Sequence, residues 1–187
     1  MDDDLVRELK HLIEHTRPDG SGRLKSRLYR QEQELDDAKN ALSGLGYSGF
    51  SLKFGNDPPD CEAVVDGVLW GIEVTELVHQ PSMHNRIQGK EQRNYEWKDQ
   101  ELRDAIVRLI DEKDAKPFKG GPFSRKLLVI ATREMHAEKV RLDPILGGVS
   151  SQCSQLTDVC VSYGYHSSTV GYDGPEYPVT RVKISQC

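Results

Sequence analysis

The chain has 187 residues, of which 29% are charged and 36% hydrophobic, and its formal net charge is −5 at pH 7. This length and composition suit one soluble domain with a core of its own. The negative charge argues against a wholly basic nucleic-acid-binding protein, because phosphate contacts need Lys and Arg. No apolar run approaches the roughly 18 residues of a membrane helix, and the acidic amphipathic N-terminus is not a secretory signal. We therefore expect a cytoplasmic protein without membrane contact.

The first quarter of the chain predicts helices before any strand. Residues 2–16 have apolar side chains at helical spacing behind acidic residues, and residues 17–22 form a turn or linker. A longer amphipathic helix is predicted over 23–42. We expect it to end there because glycines follow in a position that favours left-handed helix caps. A first strand is predicted over 47–54.

The middle of the chain predicts a hairpin, a helix and a buried strand. Asp66-Gly67 separates two apolar runs, and this dipeptide favours the tight turn of an antiparallel hairpin. Residues 97–113 have the periodicity of an amphipathic helix. The continuous apolar run over 125–132 is typical of a fully buried, parallel strand.

The C-terminal part of the chain predicts some helical character over 133–142 and two strands, 158–163 and 177–184. Together, these elements predict an α/β fold with a mixed central sheet, flanking helices and a β-rich C-terminal end. We expect a single domain that comprises an N-terminal helix and linker (1–22), a core (23–132) and C-terminal strands (133–187).

The cysteines and the basic stretches carry little chemistry of their own. The chain has four cysteines without the paired spacing of a zinc site, and we expect them to be reduced and mostly structural: Cys61, Cys153, Cys160 and Cys187. The basic residues over 23–30 and 116–141 form either local basic surfaces or ordinary solvated faces.

Two carboxylates mark the predicted hairpin as the chemically interesting region. Asp60 opens its first strand after two prolines, and Glu73 lies among apolar residues in the second strand. Antiparallel pairing would bring them close, where like charges repel unless a cation lies between them. Mg²⁺ binds such oxygens, polarises a phosphodiester and lowers the pKa of an attacking water. The alternative is that Asp60 caps a turn and Glu73 faces solvent.

The stretch "GLGYSGF…PPDCEAVVDGVLWGIEVTEL" resembles the core of the PD-(D/E)XK nuclease superfamily, which has the restriction-endonuclease-like fold. That core is a helix, three antiparallel strands, a helix and a further strand, which is the order predicted over 23–132. The resemblance implies that Asp60 and Glu73 bind Mg²⁺ or Mn²⁺, with the Val74 carbonyl as a further ligand. It also implies a role for an acid of the preceding helix, Glu34, whose alternative role is that of a surface charge.

The chain departs from the superfamily motif at Thr75, where the family carries a lysine that holds the attacking water. A threonine hydroxyl can position water but has no positive charge, so either another lysine supplies it or catalysis is lost. The helix predicted over 97–113 offers Lys98 and Lys113 beside its apolar face. Family variants with E-x-T at this place favour Lys113, whereas the alternative is a lysine that only complements the helix dipole.

The resemblance thus implies a metal-dependent nuclease that acts on DNA rather than RNA, in restriction, repair or mobile-element processing. One alternative is a nuclease fold without catalysis that binds nucleic acid or a protein. Another is an interaction domain, in which Asp60 and Glu73 would face different sides of the sheet. Several tyrosines near the C-terminal end form either a homodimer seam or ordinary strand positions: Tyr163, Tyr165, Tyr172 and Tyr177.

Overall fold

Three helices and seven strands form the described part of the chain in a computed structural model, which covers residues 27–79, 96–133, 139–164 and 177–186. In chain order, the elements are α1 (Arg27–Gly44), β1 (Phe50–Phe54), β2 (Cys61–Val65), β3 (Val68–Leu77), α2 (Asp99–Asp114), β4 (Arg125–Thr132), α3 (Lys139–Leu146), β5 (Ser150–Cys153), β6 (Asp158–Tyr163) and β7 (Val179–Gln186). The strands form one seven-stranded sheet in the order β1-β2-β3-β4-β6-β7-β5. The prediction of an α/β fold with a mixed sheet is confirmed.

The direction of the strands changes across the sheet. β1, β2 and β3 pair antiparallel, whereas β4 is parallel to both β3 and β6. β7 is antiparallel to β6 and parallel to β5. Asp66 and Gly67 have φ angles of 51° and 78°, the positive values that a two-residue type I′ turn requires. The predicted hairpin is therefore confirmed, with its turn at the predicted dipeptide.

Two apolar layers cover the two faces of the sheet. One face of β3 packs toward α1 through Trp70, Ile72 and Val74. Leu77, whose side chain points to the other face, belongs to the layer on the α2 side. β4 is buried on both faces from Leu127 onward, which explains its continuous apolar sequence. Because side chains alternate along a strand, Glu73 lies on the α2 face of β3.

The predicted elements differ from the structure mainly at their ends. α1 continues to Gly44, and the strand predicted from residue 47 begins only at Phe50. The delay arises because the Tyr47 N–H donates to the Leu42 carbonyl at 3.0 Å and Gly46 has a φ of 92°. These contacts close the helix with a turn before the strand can begin.

The C-terminal part contains one strand that the sequence did not predict. β5 has the polar sequence SSQC and is held at the sheet edge by parallel pairing with β7, a long-range contact that local pattern does not reveal. The helical character predicted over 133–142 is found at Lys139–Leu146 instead. Residues 134–138 lie outside the described part of the chain, as do the helix predicted over 2–16 and the linker over 17–22.

Three of the cysteines are free and buried, as predicted: Cys61, Cys153 and Cys160. Complete burial raises the pKa of the Cys160 thiol to about 12, which keeps it protonated and inert. Cys187 lies outside the described residues. Among the described helices, none has the length and apolarity to cross a membrane.

The C-terminal end of α2 is fixed by the carboxylate of Asp114. It accepts backbone N–H bonds from Ser154, Gln155 and Leu156, each at 2.8 Å, and a bond from the Ser154 hydroxyl at 3.0 Å. Partial burial works against ionisation, but these bonds together hold the pKa of Asp114 below its ordinary value. Asp114 thereby ties the last turn of α2 to the connection between β5 and β6.

Candidate active site

A tight turn between β1 and β2 places Asp60 at the beginning of β2. The Gly55 N–H donates to the Asp60 carbonyl at 2.8 Å, and the Asp57 N–H donates to the Pro59 carbonyl at 2.9 Å. A Cβ on Gly55 would lie 2.2 Å from the Pro59 carbonyl oxygen, so only glycine allows this close approach. The turn therefore delivers the aspartate at a fixed position beside the sheet.

The hairpin register brings Asp60 and Glu73 together. Cys61 pairs with Ile72, so the preceding residue, Asp60, stands opposite Glu73 at the open end of the hairpin. Asp60 Oδ2 accepts a hydrogen bond of 2.8 Å from the Val74 N–H. Glu73 is only 4% exposed, so the alternative in which it faces solvent is wrong.

Lys113, in the last turn of α2, reaches over the sheet to Glu73. Its Nζ donates to Glu73 Oε1 at 2.5 Å, and its side chain is only 18% exposed. The second carboxylate oxygen, Glu73 Oε2, is buried and has no hydrogen-bond partner among the residues that the structure describes. Buried carboxylate oxygens are nearly always bonded, so this oxygen requires a further donor or a cation.

The environment of Asp60 disfavours the ionised form of its carboxyl group, which would be a second negative charge beside Glu73. Burial and the neighbouring Glu73 carboxylate raise the pKa of Asp60 to about 7, although the hydrogen bond from the Val74 N–H opposes this. Glu34 raises it further and Lys113 lowers it, both by smaller amounts. A cation beside the two carboxylates would remove the penalty for ionising Asp60.

The Asp60→Asn variant should show this penalty directly. The folded protein binds an extra proton between the unfolded pKa of about 4 and the folded pKa of about 7, so its stability falls as the pH rises through that window. We expect Asp60→Asn to raise the free energy of unfolding by roughly 2 kcal/mol at about pH 8 and to change it little at about pH 4. Urea denaturation at both pH values, without divalent metal, measures the difference.

The matched control for this variant is Asp111→Asn, because Asp111 is an exposed aspartate of α2 outside the cleft. It should change stability by less than about 0.5 kcal/mol at either pH. An Asp60→Asn variant that is no more stable than the wild type at about pH 8 would show that neither burial nor Glu73 penalises the ionised Asp60 in the folded protein.

The carboxylates line a cleft of about 450 Å³ between α1, the β1–β2 turn and the end of α2. Its lining residues are Arg30, Gln31, Glu34, Gly55, Asp57, Pro58, Asp60, Glu73, Val74, Thr75, Lys113, Lys116 and Lys119. The lining combines four acidic with four cationic side chains, and the most deeply buried of them is Glu73. An arrangement of this kind can hold a divalent cation and a phosphate group at the same time.

Of three further residues that the sequence analysis proposed for the site, the structure places two in the cleft lining and one outside it. Thr75 is half-buried in the cleft wall, and Glu34 lines the cleft with Arg30 Nε 3.9 Å away. Lys98, by contrast, caps the opposite end of α2, where its exposed side chain lies 4.0 Å from Glu101. It lies outside the cleft lining and roughly 20 Å along the helix from Lys113.

Three cations of the cleft were not singled out from the sequence. Arg30, Lys116 and Lys119 fall in the two basic stretches, where a local basic surface was one of two interpretations. Lys116 and Lys119 follow Lys113, which lies in the last turn of α2, at intervals of three residues. This spacing does not predict which way the chain turns after α2.

Asp60 and Glu73 are a pair of metal-ligand type rather than a larger cluster. Within the described residues, no three Asp, Glu, His or Cys side chains are grouped as a metal site. Mg²⁺ is commonly held by one or two carboxylates plus water and substrate oxygens. The unbonded Glu73 Oε2 and the raised pKa of Asp60 both fit a divalent cation at this place.

Comparisons of the chain with family models, with curated proteins and with solved structures give no match.

Proposed function

We propose that this protein is a metal-dependent nuclease of the PD-(D/E)XK type that hydrolyses phosphodiester bonds in DNA. The observation that carries the proposal is a buried carboxylate pair, Asp60 and Glu73, in a cleft rimmed by cations, with Glu73 Oε2 unbonded. Buried like charges without full hydrogen bonding are costly, and such an arrangement is typical of functional sites.

The order of the elements around the cleft supports the same proposal. A helix, three antiparallel strands, a second helix and a strand parallel to the third correspond to a restriction-endonuclease-like core, here α1 to β4. Asp60 directly precedes β2 and Glu73 lies within β3, which are the places that the resemblance gives to the two acidic motif residues. The motif residues and the topology therefore agree with each other.

The cleft residues have distinct tasks in this proposal. Asp60, Glu73 and the Val74 carbonyl would hold Mg²⁺ or Mn²⁺. The ion, when bound, would polarise the phosphate and lower the pKa of the attacking water. Thr75 lines the same cleft, and its hydroxyl would orient that water.

Lys113 takes the place of the lysine that the motif lacks. Its ammonium already lies 2.5 Å from Glu73 Oε1, so it holds the glutamate in one orientation. It also brings a positive charge within reach of a phosphate bound in the cleft, where charge builds up during hydrolysis. Lys116 and Lys119 line the same side of the cleft and would bind the phosphates of the substrate.

A second candidate function is binding of nucleic acid without cleavage. The observation that favours it is the ion pair itself, because Lys113 already neutralises one of the two carboxylates. If metal does not displace Lys113 from Glu73, the cationic side chains of the cleft can still bind phosphate, but the site cannot hydrolyse it.

Cleavage assays decide between the two functions. The purified protein is incubated with plasmid and with single-stranded DNA in Mg²⁺, Mn²⁺ or EDTA. We expect cutting that requires one of the two metals and stops in EDTA. Binding of DNA without cutting in any of these conditions would support the second candidate and contradict the first.

A further inference from the structure

Three described lysines, two that line the cleft and one on β1, form what we call the basic track. Lys116 and Lys119 are exposed and line the cleft, and Lys53 of β1 is 71% exposed. Lys53 Nζ lies 2.8 Å from Glu62 Oε2, and a Cβ on Gly120 would lie 3.7 Å from the other oxygen of the same carboxylate. The Glu62 carboxylate therefore lies between Lys53 and Gly120, the residue that follows Lys119.

Hydrogen bonds to the β1–β2 turn fix the segment that carries Lys119. The Lys119 N–H donates to the Pro58 carbonyl at 2.7 Å, and Lys119 Nζ donates to the Asp57 carbonyl, also at 2.7 Å. Phe118 and Phe123 pack edge to face beneath it, and a Cβ on Gly71 would lie 2.7 Å from the Phe118 ring. The segment after α2 is thus packed onto β3 and bonded to the turn that carries Asp60.

The opposite side of the cleft has the reverse charge. Toward β4 and β6, α1 presents Asp36 and Asp37 at the wall of a smaller cavity of about 240 Å³. The cation of that cavity, Arg133, is engaged by Asp37 at 2.7 and 2.9 Å and by Glu76 at 3.5 Å. Among the described residues, carboxylates thus outnumber cations on this side, whereas the side of β1 has three lysines and two carboxylates.

We propose that Lys116, Lys119 and Lys53 bind successive phosphates of a nucleic-acid strand, so that the strand extends from the cleft toward β1 and not toward β4 and β6. This inference rests on the proposed function for the class of ligand, and it adds the path and the direction of the strand. Phosphate contacts of this kind supply affinity without reading sequence. The footprint on the strand is therefore one-sided.

Binding measurements in EDTA test the track separately from cleavage. Fluorescence anisotropy with a labelled single-stranded oligonucleotide gives the affinity at several salt concentrations. The Lys53→Gln/Lys116→Gln variant should bind roughly 10-fold more weakly, and the slope of log K against log salt should fall by roughly 0.7 for each lysine. The matched control is Lys39→Gln/Lys183→Gln, which removes two exposed lysines outside the track and should change the affinity less than about 2-fold.

The direction of the strand is tested by neutralising an acid on the other side. In Asp36→Asn, an exposed acid of α1 that lines the smaller cavity loses its charge. A strand that avoids this side should bind within about 2-fold of the wild-type affinity, whereas clearly tighter binding would overturn the one-sided path. Equal losses in the track variant and its lysine control would overturn the track itself.

The failures of the two proposals are distinguishable. Oligonucleotide binding that depends on Lys53 and Lys116, with no cleavage in either metal, supports the track and contradicts the nuclease. Cleavage by the wild type, with unchanged affinity and KM in the track variant, supports the nuclease and overturns the track.

Discussion

Glu73→Gln should lower the rate of metal-dependent DNA cleavage roughly 1,000-fold, equivalent to about 4 kcal/mol of transition-state stabilisation. Glutamine has nearly the same shape, so the strand should keep its packing. It lacks the charge that holds a divalent cation, however, and leaves the cation with Asp60 as its only carboxylate ligand. Single-turnover cleavage of plasmid DNA measures the loss.

Glu62→Gln is the matched control for this variant. Glu62 is also a buried glutamate with a lysine partner, at 8% exposure, but it lies on β2 outside the cleft lining. It should retain cleavage within a few-fold of the wild type. A binding readout completes the test, because saturating Mn²⁺ should raise the Tm of the wild type and not that of Glu73→Gln. Equal Tm shifts in both proteins would show that Glu73 does not hold the metal.

Lys113→Met should affect both activity and stability. Its removal leaves Glu73 charged, buried and beside Asp60, so we expect the free energy of unfolding to fall by roughly 3 kcal/mol at about pH 8 without metal. Cleavage should fall at least about 100-fold, because no other cation contacts Glu73 among the described ion pairs. Denaturant melts and cleavage rates provide the two measurements.

A double variant separates the loss of the pair from a general loss of folding. In Lys113→Met/Glu73→Gln, the buried charge is gone, and most of the lost stability should return, with a coupling energy of roughly 2 kcal/mol. Lys116→Met is the control, since Lys116 is exposed in the same cleft and should cost less than about 0.5 kcal/mol. Wild-type cleavage by Lys113→Met would show that Lys113 does not replace the missing motif lysine.

The sequence predicted what depends on local pattern. Asp66-Gly67 defines the hairpin turn and hence the register that sets Asp60 opposite Glu73. The apolar run over 125–132 marked the buried parallel strand, since both of its faces are covered. The proximity of the two carboxylates followed from the hairpin signal.

Long-range contacts explain what the sequence did not predict. β5 exists because β7 returns beside it, and its own residues have no strand pattern. Lys119 lies far from Asp57 in sequence, and only the fold brings its ammonium to the Asp57 carbonyl. The same holds for the unbonded oxygen of Glu73, which depends on everything packed around it. The periodicity of α2 did not distinguish Lys98 from Lys113. The structure places Lys113 next to the hairpin and Lys98 at the other end of the helix.

Adjacent residues at the end of α2 serve two distant parts of the protein. Lys113 contacts the hairpin carboxylate, and Asp114 grips the backbone of the connection between β5 and β6. Among the described residues, β5, β6 and β7 contribute none to the cleft lining, but the connection between β5 and β6 holds the helix end that carries Lys113. Removing everything after β4 would take away the partners of Asp114 and so loosen the cation that contacts Glu73, which means that the unit that positions Lys113 extends beyond residues 23–132.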